Sequence, residues 1–411
     1  MNIAVICTGT ELLKGYTVNS NLAVLGAHLV AAGMPLSLEI CVGDRPAEIG
    51  GAIAMALKNA DTIVLCGGLG PTLDDITLDV AAKFFGCELQ VIPELAQKVT
   101  DFWHKIHSGH CPKNQLRQAR VPVGGHFLPN PVGSASGIAF SSLYGGKMRH
   151  IFLLPGPPTE FIPMMRDYLI PELVALDSKR RHTIGFLAAG IGESTLAKAV
   201  EPVLKEFPVE IAYTAVPGGT KLFLEGDDPA LLETAIQKAR TAAGPDALPA
   251  GVTDLFEYLI SLLQHHGLSL VTAESCTGGL IARTITDFPG VSSVFKGSVV
   301  SYANQLKEEL LQVPHELLES LGAVSTPVAA AMAENAAKLM QADCAISTTG
   351  IAGPDGGSPD KPVGLVFIAC RFNGKTVVEQ LNLRGGREAI RQRAAAKAVY
   401  LLIRMIREKY A

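Results

Sequence analysis

Short apolar runs rich in valine and isoleucine alternate along the chain with stretches of helical period. Ile3–Cys7, Thr62–Cys66 and Ile151–Leu154 are apolar at almost every position, the pattern of strands buried on both faces. Each runs into a loop marked by glycine or proline. Between them, helical periodicity predicts helices over Asn21–Ala32 and Arg45–Asn59. Such alternation belongs to a doubly wound α/β layer, where ligands sit beyond the carboxyl ends of the strands. A shorter pattern follows: strand His182–Leu187, helix Glu193–Glu206, strands Glu210–Ala215 and Lys221–Glu225, helix Pro229–Arg240. Ala242–Gly251 has linker composition. Beyond it, strands are predicted at Ser269–Ala273, Gly297–Tyr302, Ala345–Thr349 and Val363–Cys370. The expected fold class is therefore α/β, with two doubly wound α/β domains (1–172 and 252–411) joined by a small α+β module (176–242).

Length agrees with several domains, since 411 residues exceed one ordinary core. The 48% hydrophobic and 18% charged content describes a chain that folds rather than one that stays disordered. A formal net charge of -4 supplies no basic footprint, so neither nucleic acid nor an anionic membrane is an expected partner. Eight cysteines occur singly, without a Cys-x-x-Cys pair, and read as reduced cytosolic thiols. Met1–Cys7 enters a strand directly, with no secretory pattern, and no apolar run approaches the roughly 20 residues a bilayer needs. The expected compartment is the cytoplasm.

Candidate chemistry lies at the strand ends. In the C-terminal domain, Leu270–Ala273 leads through Glu274-Ser275-Cys276-Thr277-Gly278-Gly279 into a helix predicted at Leu280–Asp287. A hydroxyl there would face the free N–H groups of a helix start, which can hold a phosphate or an oxyanion. Taken alone, the motif reads more readily as Ser275 and Thr277 simply capping that helix. Ser301-Tyr302-Ala303-Asn304 places Lys307 in the first turn of the next helix, where the macrodipole disfavours its charge. That, with burial, would suit it as a base for a serine. Thr348–Gly357 is dense in glycine and can wrap a phosphate or sugar. Arg387 and Arg391 stand one helical turn apart and could clamp an anion.

Those segments, together with Gly322-Ala323-Val324-Ser325 and Gly350-Ile351-Ala352-Gly353-Pro354-Asp355-Gly356-Gly357, resemble the motifs of the CinA C-terminal domain, and the match spans the whole domain. The resemblance implies deamidation of nicotinamide mononucleotide to nicotinic acid mononucleotide and ammonia, with no cofactor. It makes Ser275 the nucleophile, Lys307 the base and Tyr302 a supporting hydroxyl. Glu274, Thr277, Gly278, Gly279, Asn304, Thr349, Gly350, Gly353, Arg387 and Arg391 would then surround the nucleotide. Cys276 is a competing nucleophile, because a helix start can depress a thiol pKa.

In the N-terminal domain, Thr8-Gly9-Thr10-Glu11 with Asn19, Gly67-Gly68-Leu69-Gly70-Pro71-Thr72, and Pro155-Gly156-Pro157 with Glu160 form loops at one sheet edge, suited to a phosphorylated ligand. Asp44, Asp74 and Asp75 could hold a hard divalent ion, and Asp44 and Asp75 could instead be N-caps. These loops, with Asn130-Pro131-Val132-Gly133, are similar to the molybdopterin-binding-type domain at the N-terminus of CinA proteins. That resemblance implies hydrolysis of ADP-ribose to AMP and ribose 5-phosphate with a divalent metal of the Mg or Co type. Ser134-Ala135-Ser136-Gly137, Lys14 and Tyr16 depart from the family pattern and bear on substrate choice.

The middle module is similar to the family's KH-type linker. Gly190-Ile191-Gly192-Glu193 lacks the Gly-x-x-Gly spacing that binds RNA, so a structural or dimer-forming role is expected, and the family pattern implies a homodimer. His104, His107, His110 and Cys111 have spacing that zinc could use, but a solvated helix and loop is the preferred reading. Three functions remain: a bifunctional nucleotide-recycling enzyme, a deamidase whose N-terminal half only binds a nucleotide or pterin, and a non-enzymatic competence or DNA-damage regulator.

Overall fold

Two of the apolar runs become central strands. Ile3–Thr8 and Thr62–Cys66 are buried at every position and lie parallel, side by side, inside a six-stranded sheet. The computed structural model describes residues 1–177 and 181–410. The chain divides into two compact units, Met1–Thr183 and Ile184–Ala411.

In the first unit the strand order is Leu36–Val42, Ile3–Thr8, Thr62–Cys66, Lys147–Leu154, Gly137–Tyr144, His126–Leu128. The first four run parallel, and the last two join by antiparallel pairings, Gly137–Tyr144 with Lys147–Leu154 and His126–Leu128 with Gly137–Tyr144. That antiparallel edge has a local cause. Gly145 and Gly146 both take positive φ, +59° and +76°, the two-residue turn whose twist suits a tight hairpin. Alternate residues of the strands feed two cores, one on each face. Ala4, Ile6, Ile63 and Leu65 pack with the helix Pro46–Ala56, and Ile3, Val5 and Val64 pack with Leu25, Leu29 and Phe161.

A five-stranded sheet forms the heart of the second unit, ordered Phe295–Val300, Leu270–Glu274, Cys344–Gly350, Leu365–Phe372, Lys375–Asn382. The first three strands are parallel and the last two form an antiparallel hairpin. The segment predicted as a strand from Val363 begins at Leu365 and reverses direction. A parallel strand needs a crossover, usually helical, and residues 351–364 contain no helix. The hairpin itself turns on Asn373-Gly374, at φ +51° and +76°. Helices Thr326–Leu339 and Arg387–Tyr410 cover opposite faces.

The same unit holds a three-stranded sheet, ordered Glu210–Val216, Gly219–Gly226, His182–Ala189. Side-chain alternation splits its last strand between two cores. Phe186 and Ala188 join Leu196, Val200 and Ile236 from the covering helices, whereas Leu187 and Ala189 join the core beneath Arg387–Tyr410. Gly190–Gly192 forms the turn before the helix Glu193–Leu204. The fold is thus α/β, with parallel strands at the centre of both larger sheets. Among the described residues no helix is long and apolar enough to cross a membrane.

Candidate active site

The strand Leu270–Glu274 is wholly buried, and its last residue points inward. The Glu274 carboxylate accepts from the N–H groups of Ile281 (3.1 Å) and Ala282 (2.8 Å) and from the Thr272 hydroxyl (3.3 Å). It therefore caps the helix Leu280–Thr286 from the strand that precedes it. Two sequence expectations change. That helix start is occupied internally rather than open to a phosphate or oxyanion, and Glu274 is a buried organiser rather than a ligand contact. Neither Ser275 nor Thr277 caps the helix, whose N-cap position is Gly279.

The turn Ser275–Gly279 is stitched to both neighbouring strands. Ser275 N–H donates to Thr348 O (2.9 Å), and Ser301 N–H donates to Glu274 O (2.9 Å). Thr277 and Thr348 share a hydroxyl hydrogen bond of 2.7 Å. Gly278 and Gly279 turn the chain with φ of +61° and +86°. Ser275 is left 8% exposed.

Lys307 is 1% exposed, and its amine donates to the carbonyls of Ser301 (2.8 Å) and Tyr302 (3.3 Å). Ser275 is not among its hydrogen-bond partners. The helix Asn304–Glu309 is so short that Lys307 lies in its last turn, not its first. The macrodipole explanation therefore fails, and burial is what pulls the Lys307 amine below its ordinary value. Cys276 packs into the core, and burial pushes its thiol up to about 11, contrary to a thiol activated by a helix start.

The remaining loops converge on the same strand ends. Arg387 donates to Gly353 O (2.7 Å) and to the hydroxyl of Tyr302 (3.0 Å), which is otherwise 61% exposed. Arg391 donates to Thr277 O through Nη2 (2.7 Å) and Nε (3.3 Å) and pairs with Glu388. Thr349 is buried and donates to Ala323 O (2.8 Å), so its hydroxyl braces Ala323, beside Val324 and Ser325. Gly350 lies where a Cβ would come within 2.7 Å of Leu365 O. Asn304 is exposed at the first position of its helix. Ser301, which no sequence signal singled out beyond its place in the motif, has a buried hydroxyl with no partner among the described residues.

In the first unit, a cleft of about 540 Å³ opens at the carboxyl ends of the parallel strands. Its wall includes Thr8, Gly9, Glu11, Asn19, Gly67, Gly68, Gly70, Gly156, Pro157 and Glu160, with Asp44, Asp74 and Asp75. Thr72 and Gly133 act from behind that wall. Thr72 donates its N–H (2.8 Å) and hydroxyl (2.5 Å) to Asp75, and its hydroxyl also bonds Asp74, holding that carboxyl below its usual range. A Cβ on Gly133 would meet the Glu160 carboxylate at 2.2 Å.

Asp44 does not cap the helix Pro46–Ala56. It receives Thr10 N–H (2.8 Å) and Thr10 hydroxyl (2.9 Å), tying two loops together. Asp75 likewise is not an N-cap, a position held by Ile76. The three aspartates line one cleft without converging: among the described residues no three His, Cys, Asp or Glu side chains gather to hold a metal ion. The aspartates alone are therefore not a closed cage, although magnesium commonly needs only one or two carboxylates plus substrate phosphates. His107 stacks its ring on Trp103 at 4.0 Å. Sequence reasoning missed Asn21, which donates to Gly156 O (2.7 Å), and Asn130, whose side chain donates to Glu160 (2.5 Å) and accepts from Val132 and Gly133 N–H. The Asn-Pro-Val-Gly motif was the available signal for the latter.

Two family models match the chain: the CinA C-terminal domain over residues 252–406, and a probable molybdopterin binding domain over residues 4–175. A CinA-like protein of Dictyoglomus thermophilum is 36% identical over 98% of this chain and 99% of its own length. The chain belongs to the CinA family. A second CinA-like protein, from Dictyoglomus turgidum, shows the same 36% identity and coverage. A solved competence/damage inducible protein from Agrobacterium tumefaciens is 40% identical, covering 37% of this chain and 93% of that one, with a TM-score of 0.36. Ser275, Lys307 and Arg391 lie inside the CinA C-terminal match, and the cleft residues lie inside the molybdopterin-binding match. The three-stranded sheet falls largely between the two matches.

Proposed function

We propose that the C-terminal domain hydrolyses the carboxamide of nicotinamide mononucleotide through Ser275 and Lys307. The observation that carries this reading is the state of Lys307: buried, without a carboxylate partner among the described residues, and bonded to two backbone carbonyls. A neutral amine has two N–H groups and one lone pair. With both N–H groups given to Ser301 and Tyr302, the lone pair remains to take a proton. Ser275 Oγ attacks the carboxamide carbon while its proton passes to Lys307 Nζ. The tetrahedral intermediate collapses, the C–N bond breaks, and ammonia leaves with that proton. Water, deprotonated by Lys307, then attacks the acyl carbon; the bond to Ser275 Oγ breaks, Lys307 returns the proton to that oxygen, and nicotinic acid mononucleotide is released. Arg387 and Arg391, each with N–H groups beyond those already bonded, face the same strand ends and suit the nucleotide phosphate. Ammonia release is the test. Ser275→Ala and Lys307→Ala should both lose it, and full activity in Ser275→Ala refutes the mechanism.

The N-terminal cleft suits ADP-ribose, and in this reading it hydrolyses the diphosphate to AMP and ribose 5-phosphate. A divalent ion of the Mg or Co type, held by Asp44 or Asp75 and substrate phosphates, would supply charge neutralisation and an activated water when bound. A second reading is binding of a nucleotide or pterin without turnover, in which the aspartates brace loops, as Asp44 does by accepting from Thr10. AMP formation by the Ser275→Ala protein with ADP-ribose and metal separates the two. Binding without AMP selects the second.

A further inference from the structure

The floor of the N-terminal cleft carries thiol chemistry that diphosphate hydrolysis does not use. Parallel register sets Cys7 level with Cys66 on one side and with Cys41 on the other. Residues in register on neighbouring strands share a face, and their backbones stand about 4.8 Å apart. That separation falls within the range of about 4.4–6.8 Å between α-carbons that a disulfide spans.

The three cysteines differ in surroundings. Cys7 and Cys66 both line the cleft, and Cys41 does not. Cys7 and Cys66 are both buried free thiols, whereas Cys41 is half-buried. Asn21 Nδ2 donates to Cys66 Sγ at 3.4 Å, and the Cys66 thiol lies 3.9 Å from Pro155 O. The neighbouring Cys66 thiol holds the Cys7 thiol below its ordinary value. Cys66 itself is pushed up by Cys7 and by burial. Two free thiols in register on adjacent strands, both lining one cleft, are placed as an attacking and a resolving cysteine would be.

We propose that Cys7 and Cys66 form a reversible dithiol–disulfide pair that reacts with hydroperoxides entering the cleft and, as the disulfide, weakens ligand binding there. The Cys7 thiolate attacks one peroxide oxygen. The O–O bond breaks, the departing oxygen leaves as alcohol or water with the proton Cys7 gave up, and Cys7 becomes a sulfenic acid. Cys66 sulfur then attacks Cys7 sulfur. The S–S bond forms, the S–O bond breaks, and water leaves with the Cys66 proton. Two thiols give up two electrons, and the peroxide takes them.

Ligand binding follows because the sulfurs support the wall. Forming a bond of about 2.05 Å draws the Cys66 sulfur toward Cys7 and away from Asn21 Nδ2. Asn21 also holds Gly156 O at 2.7 Å, and Thr8 Oγ1 donates to Cys66 O at 3.3 Å. Gly67 follows Cys66 directly and packs so close to the Thr8 backbone that an added Cβ would stand 2.4 Å from Thr8 O. This second part rests on the nucleotide reading of the cleft.

Full-length reduced protein is exposed to hydrogen peroxide, alkylated with iodoacetamide and digested without reductant. A linked Cys7–Cys66 peptide is expected in wild type and in C41S, absent from C7S and C66S, and reversed by dithiothreitol. ADP-ribose, measured by calorimetry, should bind the oxidised wild type about tenfold or more weakly than the reduced protein, while C7S, which lacks the attacking sulfur, should bind alike before and after peroxide. A Cys7–Cys41 link, or Cys7 driven to sulfinic acid while Cys66 stays alkylatable, overturns the pairing whatever the variants do. Absence of ADP-ribose binding by reduced protein refutes the nucleotide reading of the cleft and leaves the peptide result to decide the thiol pair.

Discussion

Removing the Glu274 carboxylate should free the helix that follows Ser275 while the surrounding core persists. The carboxylate receives two backbone N–H groups, at 3.1 Å and 2.8 Å, in a fully buried position. Glu274→Ala leaves both N–H groups unpaired, at about 1–3 kcal/mol each, so the helix start should lose about 4 kcal/mol. Glu274→Gln keeps one acceptor oxygen but turns an NH₂ toward the second N–H, and should lose about 2 kcal/mol. Hydrogen exchange reads this directly. At about 1.4 kcal/mol per tenfold, Ile281 and Ala282 amides should exchange about a thousandfold faster in Glu274→Ala and about thirtyfold faster in Glu274→Gln. Strand amides at Leu270–Ala273 should change far less. Unaltered protection of Ile281 and Ala282 in Glu274→Ala would refute the capping role. Equal damage from both variants would show that side-chain volume, not the acceptor pair, holds the turn.

Deamidation should rise with pH through the lowered Lys307 value and level off below the ordinary lysine range, because burial favours the neutral amine. Lys307→Met should lose about 10²–10⁴-fold in kcat with the limb abolished, and a wild-type limb at the ordinary lysine value would count against it. The same shift has a stability sign. Between the lowered folded value and the ordinary unfolded one, the unfolded chain binds the extra proton, so the second unit should gain stability as pH rises there, a slope that Lys307→Met removes. Cys276→Ala should retain deamidation, and native Cys276 should resist iodoacetamide at neutral pH, because its thiol titrates at about 11. Gly68→Ala should destabilise the first unit by about 2–4 kcal/mol in its melting transition, since φ is +65° and a Cβ would stand 2.2 Å from Thr77 Oγ1. An unchanged melt would show that Thr77 yields freely.

Chain pattern alone determined the α/β class, because continuous apolar runs such as Ile3–Cys7 have no stable place except a strand covered on both faces. It also located the loops, since glycine and proline mark where a strand must stop. The hairpins at Gly145-Gly146 and Asn373-Gly374 were legible too, as paired residues tolerant of positive φ, though the parallel reading passed over them.

Tertiary structure decided what each polar residue in those loops does. Glu274 and Ser275 are adjacent in sequence, yet one turns inward to cap a helix and the other stays at the strand edge. Spacing cannot separate them, because the distinction depends on where a helix start seven residues later lands. Lys307 owes its lowered pKa to burial, and burial is a property of everything packed around it. The alignment of Cys7 with Cys66 appears only when strands 59 residues apart are laid in register. Local pattern is written along the chain, whereas hydrogen-bond partners, desolvation and register are relations between distant segments that only the folded molecule brings together.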